Sequence, residues 1–159
     1  MGTETGFVWH ERFAWVLQAG QSETFPDNAL FEPWPAHDLP ESKRRIRNLL
    51  EASGLLAHLQ QISADAATDA DLLRVHSQAY LDRLRATSAA GGGGVGPDMR
   101  THRATFDIAR LAAGGTIAAV RDVLDGRVRN AYALVRPPGH HAQVDEAQGF
   151  CYLANVAIA

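Results

Sequence analysis

Between His102 and Gly126, the residues Phe106, Ala109, Ala113, Ile117, Val120 and Leu124 recur at steps of three and four, which gathers them into one apolar stripe along a helix. Asp125-Gly126 closes that pattern. The run from Ala131 to Val135 comes next, short, apolar and bounded by polar residues, as suits a strand buried on both faces. A long helix feeding such a strand constrains the fold more than any other feature of the chain. With an earlier strand it makes a βαβ unit, whose crossover forces the strands to run parallel. The expected class is therefore α/β, a parallel sheet flanked by helices. Ala112, Ala113, Gly114 and Gly115 thin the helix in its middle. A close approach to the sheet is the simplest reason, because glycine in a helix interior costs about 1 kcal/mol relative to alanine.

The earlier chain supplies the other elements. Gly6 to Trp15 reads as a first strand plus a turn, with Trp9, Phe13 and Trp15 as core or interface aromatics. Gln21 to Pro40 shows no period and reads as a surface loop of the kind found at pocket rims. From Pro40 to Gly54, Ile46, Leu49 and Leu50 at helical spacing predict a surface helix with a glycine stop. Its basic run, Lys43, Arg44, Arg45 and Arg47, is diluted by Glu41 and Glu51 and reads as a solvated face. Leu59 to Ile62 is a short second strand, Thr68 to Asp71 a helix start, and Tyr80, Leu81 and Leu84 mark another helix after Ser77. His76 reads as a satisfied, partly buried imidazole rather than a metal ligand. Gly91 to Gly96 contains a G-x-G-x-x-G spacing, which raises a nucleotide-binding alternative. That fingerprint requires a strand before it and a helix directly after it, whereas Pro97-Asp98 comes next in this chain, so a flexible loop tip is the expectation.

The chemistry concentrates in the stretch that opens Arg136-Pro-Pro-Gly-His-His and closes Gly149-Phe-Cys-Tyr-Leu-Ala-Asn155. Pro137 and Pro138 stop any helix and drive the chain out of the sheet. His140 and His141 then sit just past the carboxyl end of a strand, where open α/β sheets place their ligands. Imidazole is the side chain suited to proton transfer in water near neutrality and needs a partner to fix its tautomer, so the pair is a candidate for acid–base work; a merely solvated pair is the alternative. Composition bounds the rest. A formal charge of −3 gives no basic footprint, which argues against direct nucleic-acid binding. Cys151 is the single cysteine, so no internal disulfide forms and a reducing, cytoplasmic setting is expected, with Cys151 itself packed as a small hydrophobe. Met1 to Phe7 carries neither a positive nor an apolar leader region, and no apolar run approaches membrane-spanning length. The oligomeric state stays open, a homo-oligomer included.

The segment RPPGHHA…GFCYLAN resembles the active-site segment of the histone deacetylase family, in particular its class II-like bacterial members, the histone deacetylase-like amidohydrolases. TGFVWHERFAWV, ESKRRIRNLLEASGLL, ATDADLLRVHSQAYLDRL and IARLAAGGT follow the same pattern in order, so the likeness covers essentially the whole chain. It implies an arginase/deacetylase-like fold and zinc-dependent hydrolysis of acetyl-lysine, or of a related acylated amine such as acetylpolyamine. By that resemblance His141 is the general base and acid, and His140 gives electrostatic help and proton delivery. Phe150 walls the acyl-lysine tunnel, Gly149 lies along the substrate's alkyl chain, and Asp98 is the rim aspartate that holds the substrate backbone. The family's zinc ligands lie in an Asp-x-His motif on the following strand and in a later aspartate, and its oxyanion tyrosine comes later still. The resemblance thus implies that residues 1–159 are the amino-terminal part of a single deacetylase domain, truncated before the zinc-ligand motifs, with no metal ligand of its own and inactive alone. A non-catalytic binding or assembly module is the alternative from another class. Two further expectations concern the carboxyl end: Gly149 to Ala159 starts as a helix through Leu153, Val156 and Ala157, and the strand 131–135 is too apolar for an open edge, so that the chain alone associates.

Overall fold

Thr5–Val8 (β1) is the middle strand of a three-stranded parallel sheet, paired with Leu59–Ile62 (β2) on one side and Asn130–Ala133 (β5) on the other. The computed structural model describes residues 4–16, 38–97 and 99–159; the rim loop expected from Gln21 to Pro40 lies almost wholly outside them. Val8 stands opposite both Ile62 and Ala133, so the three strands end level and their outgoing loops leave from one edge. Phe7 and Val8 are buried. The expected α/β architecture, a parallel sheet flanked by helices, is the one observed.

The last strand departs from its expectation. It spans residues 130–133 rather than 131–135, and Tyr132 is 50% exposed, stacked on Phe7 with ring centroids 6.3 Å apart. Among the described residues β5 has a neighbour on one side only, so an apolar sequence here does not mean cover on both faces. Pairing continues one step past it, where Leu134 N–H donates to the Val8 carbonyl at 3.0 Å.

Pro40–Ala52 (α1) is a surface helix with no buried residue, and Gly54 comes after it in the left-handed region, as the sequence predicts. Its basic side chains meet acids: Arg44 binds Glu11, Arg47 binds Glu51 at 2.5 Å, and Lys43 binds Asp38. Of the three early aromatics, Phe13 is buried and Trp9 packs edge-on against it, but Trp15 is 57% exposed. It ends a short 3-10 turn, Glu11–Trp15, whose single pitch turns only part of its residues inward. Asp69–Leu72 (α2) begins with a capping box, Asp71 N–H to Thr68 Oγ1 and Thr68 N–H to Asp71 Oδ2. Ser77 caps Gln78–Ala89 (α3), which buries Tyr80, Leu81 and Leu84.

The glycine run is neither a loose tip nor a phosphate loop. Gly92–Gly96 (β3) pairs antiparallel with Met99–His102 (β4), with a register shift between Gly94 and Gly96. The glycines are themselves strand, and the next element is a second strand rather than a helix N-terminus, so the nucleotide-binding alternative loses its geometry. Thr105–Leu124 (α4) starts three residues later than expected, because His102 belongs to β4 and its N–H donates to Thr105 Oγ1 at 2.8 Å. A side chain at Gly114 would put its Cβ 1.7 Å from the Asp65 carbonyl, and one at Gly115 2.9 Å from Val8 Cγ1. The thinned middle therefore does approach the end of β1 and the loop after β2. The apolar stripe is buried from Phe106 through Ala113, but its far end is not: Leu124 is 79% exposed. Asn155–Ile158 (α5) is a single turn, and the helix expected from Gly149 is absent because Gly149 and Phe150 hold positive φ, which a right-handed helix excludes.

Candidate active site

The loop that carries the histidines leaves β5 through a buried cation. Arg136 is 1% exposed, and its guanidinium donates from Nε to Asp38 Oδ2 at 2.8 Å, from Nη2 to the Asp38 carbonyl at 3.0 Å, and from Nη1 to the Val16 carbonyl at 2.5 Å. A charge this deep is tolerated only with its partners in place. One side chain thereby ties the loop after β1, the approach to α1 and the start of the His-His loop together. Sequence reading missed this role; the only signal was a charged residue lodged between an apolar run and Pro-Pro, where nothing requires charge.

At the crown, His140 and His141 are exposed, and their rings lie 4.2 Å apart centroid to centroid, tilted by 53°. Gly149 lies directly on the second ring: a Cβ built there would stand 2.6 Å from His141 Cδ2 and 2.8 Å from Cγ, and its φ of +53° also favours glycine. Phe150 comes next at φ +66°, which is strained for a side chain of that size, and its N–H donates to the Met99 sulfur at 3.0 Å. The structure thus brings His140, His141, Gly149 and Phe150 into one loop, with Met99 of β4 beneath. Asp98, between β3 and β4, lies outside the described residues. Cys151 is buried with Sγ near the Gly149 carbonyl at 3.4 Å, and burial raises its pKa, as befits packing rather than a nucleophile.

The loop is seated on the start of α3. Tyr80 donates its hydroxyl to the Tyr152 carbonyl at 2.6 Å, Arg83 donates to the Asp145 carbonyl at 2.6 Å, and Ser77 Oγ binds the Asp145 carboxylate. Tyr152 in turn donates to the Arg100 carbonyl of β4. His76 is 2% exposed and spans two of the loop's backbone groups, Val144 and Ala154. The expected satisfied imidazole is there, more deeply buried than its sequence context indicated. Desolvation holds its pKa below the ordinary value, the backbone carbonyls opposing it.

Among the described residues, no three His, Cys, Asp or Glu side chains gather where they would hold a metal ion. The two exposed imidazoles alone fall short of the three protein ligands that a catalytic zinc site uses. An apolar groove lies elsewhere, along α4 and β5, lined by Val120, Val123, Leu124, Ala131 and Ala133 and by none of the predicted site residues. No helix among the described residues is long and apolar enough to cross a membrane.

Against known proteins, the family described as histone deacetylase domain matches residues 39–159. The chain belongs to the histone deacetylase family. It is 46% identical over 162 aligned positions to a histone deacetylase-like amidohydrolase of Pseudomonas aeruginosa, covering 100% of this chain and 43% of that protein. To the polyamine deacetylase HDAC10 of Homo sapiens it is 40% identical over 126 positions, covering 76% of this chain and 19% of that one. The crystal structure of the HDA15 HD domain superposes with a TM-score of 0.83 at 32% identity, covering 98% of this chain and 42% of that one. This member of the family thus spans less than half the length of these relatives.

Proposed function

We propose that the complete protein is a zinc-dependent deacetylase acting on acetyl-lysine or a related acylated amine such as acetylpolyamine, and that residues 1–159 form the amino-terminal part of its single catalytic domain. The observation that carries this reading is the pair His140 and His141, set past the carboxyl end of a parallel sheet with Gly149 packed on the His141 ring, in a histone deacetylase chain. By the family resemblance, the zinc ion would be held by residues that follow this stretch of the domain. His141 takes a proton from water as the water oxygen bonds to the acetyl carbon. It returns that proton to the amine nitrogen as the carbon–nitrogen bond breaks, giving acetic acid and the amine, which then exchange a proton to leave acetate and ammonium. His140, 4.2 Å away ring to ring, tunes the charge on its neighbour and relays protons. Phe150 and Gly149 flank the acyl chain, and Asp98, by the family resemblance, holds the substrate backbone. A cytoplasmic location is part of the same reading, supported by a lone buried thiol.

The test is hydrolysis of an acetyl-lysine peptide and of acetylated polyamines by the complete protein. Replacing His141 by alanine is expected to lower kcat by about 100-fold or more with metal content unchanged, the scale of general acid–base catalysis. Activity surviving within a few-fold would remove His141 from its role. Failure of the unmutated protein on both substrate classes would remove the deacetylase reading itself.

A further inference from the structure

His76 stands outside the histidine loop, yet it grips that loop at two points. Ala154 N–H donates to its Nε2 at 3.0 Å. Nε2 is therefore the unprotonated nitrogen, and the neutral ring carries its proton on Nδ1, where it donates to the Val144 carbonyl at 3.2 Å. Between these two bonds lie Gly149, seated on His141, and Phe150, held by Met99. Other bonds each hold the segment at one place, Ser77 and Arg83 at Asp145 and Tyr80 at Tyr152, whereas the His76 ring joins its incoming leg at Val144 to its outgoing leg at Ala154.

We propose that His76, as the neutral Nδ1–H tautomer, is a positioning residue that presses the 144–154 segment, and with it Gly149, onto His141; the inference rests on the deacetylase reading above. An imidazole presents one donor and one acceptor on opposite edges of a rigid ring. A primary amide presents both on one terminal carbon and cannot reach two backbone groups on opposite sides of itself. Protonation would set a second N–H against Ala154 N–H, so the grip exists only in the neutral form. The groups around the ring are the Tyr80 ring, 5.3 Å away between centroids, and Asp145, whose carboxylate is bound by Ser77; Arg83 lies over Tyr80 and donates to the Asp145 carbonyl. Loss of the imidazole does not strip the Val144 carbonyl bare, because Ser77 N–H also donates to it at 3.2 Å. Ala154 N–H does lose its partner, so the release is confined to the outgoing leg of the loop.

The test compares the complete protein with its His76→Gln variant by amide hydrogen exchange and by the pH profile of kcat, expressed per folded molecule from circular dichroism. The expected result is exchange at least tenfold faster across 148–154, kcat at least tenfold lower, and an acid limb of the kcat profile displaced from that of the wild type, because Gly149 no longer holds the His141 ring in place. Mere loss of folded molecules would leave the limb where it is. A folded variant with unchanged exchange and an unchanged limb would overturn the proposal. Should the variant not fold, nitrogen-15 NMR of the unmutated protein decides: an Nδ1–H tautomer for His76 with a protected Ala154 amide supports the proposal, and an Nε2–H tautomer or a freely exchanging amide ends it. A wild-type protein without deacetylase activity would count against the functional reading, while the tautomer and exchange data would still decide whether His76 holds the loop.

Discussion

Gly149 is the residue whose substitution separates packing from chemistry most cleanly. An added methyl would meet His141 Cδ2 at 2.6 Å and would have to sit at φ +53°, so either the imidazole or the loop must move. Gly149→Ala in the complete protein is expected to lower kcat by about tenfold or more, since a misplacement of about 1 Å is costly to a positioned catalyst. Its urea midpoint should fall only modestly, and both are read from the same preparation. Tyr80 gives a pH prediction with a definite sign. Burial above all holds its hydroxyl above the ordinary value of 10.0. A group whose folded pKa is raised contributes stability in full below the unfolded pKa, and that contribution drains away as pH rises through it. Stability should therefore fall above about pH 10, by up to about 1.4 kcal/mol per pH unit for each such hydroxyl. Tyr152 is shifted in the same direction by burial. Urea midpoints measured across that range should decline less steeply in Tyr80→Phe than in the wild type, because one of the two hydroxyls is gone.

At the scale of the element, the histidine loop is built by contacts that its own sequence does not contain. Arg136 fixes its entry, Met99 and Gly149 its crown, and the start of α3 its exit. Replacing Arg136 by methionine keeps the bulk but leaves Asp38 facing the interior with Lys43 alone, and losing one partner of a buried pair costs about 3–5 kcal/mol. Lysine should rescue little, because it cannot reproduce the forked contacts to Asp38 and Val16. A urea titration of both variants checks this, and a loss below about 1 kcal/mol in Arg136→Met would show that the clamp is dispensable. The elements that sequence located well, α1, α2 and α3, are those whose signals are local: a glycine stop at Gly54, a capping box at Thr68, a serine cap at Ser77. Those it misplaced depend on partners. The glycine run became a strand because β4 pairs with it, and α4 lost its first turn to the same hairpin.

On the whole molecule, the edge of β5 and the far end of α4 form one continuous apolar surface among the described residues, with Val120, Val123 and Leu124 beside Ala131 and Ala133. An open strand edge next to exposed apolar side chains invites pairing. Chain 1–159 on its own is expected to self-associate, seen as a sedimentation coefficient that rises with concentration. Leu124→Glu, at a position 79% exposed and so harmless to the core, should weaken that association. A monomer at every concentration would refute the prediction. The sequence by itself determined the parallel α/β class, the order of the three sheet strands and of α1 to α4, and the place of His140 and His141, because hydrophobic period, caps and prolines act on residues close in the chain. Only the tertiary structure decided that Arg136 is a buried clamp, that Gly149 lies on His141 and that His76 holds Val144 and Ala154. Each of those facts is a contact between residues from 8 to 120 positions apart, and no local pattern encodes which distant backbone group a side chain will meet.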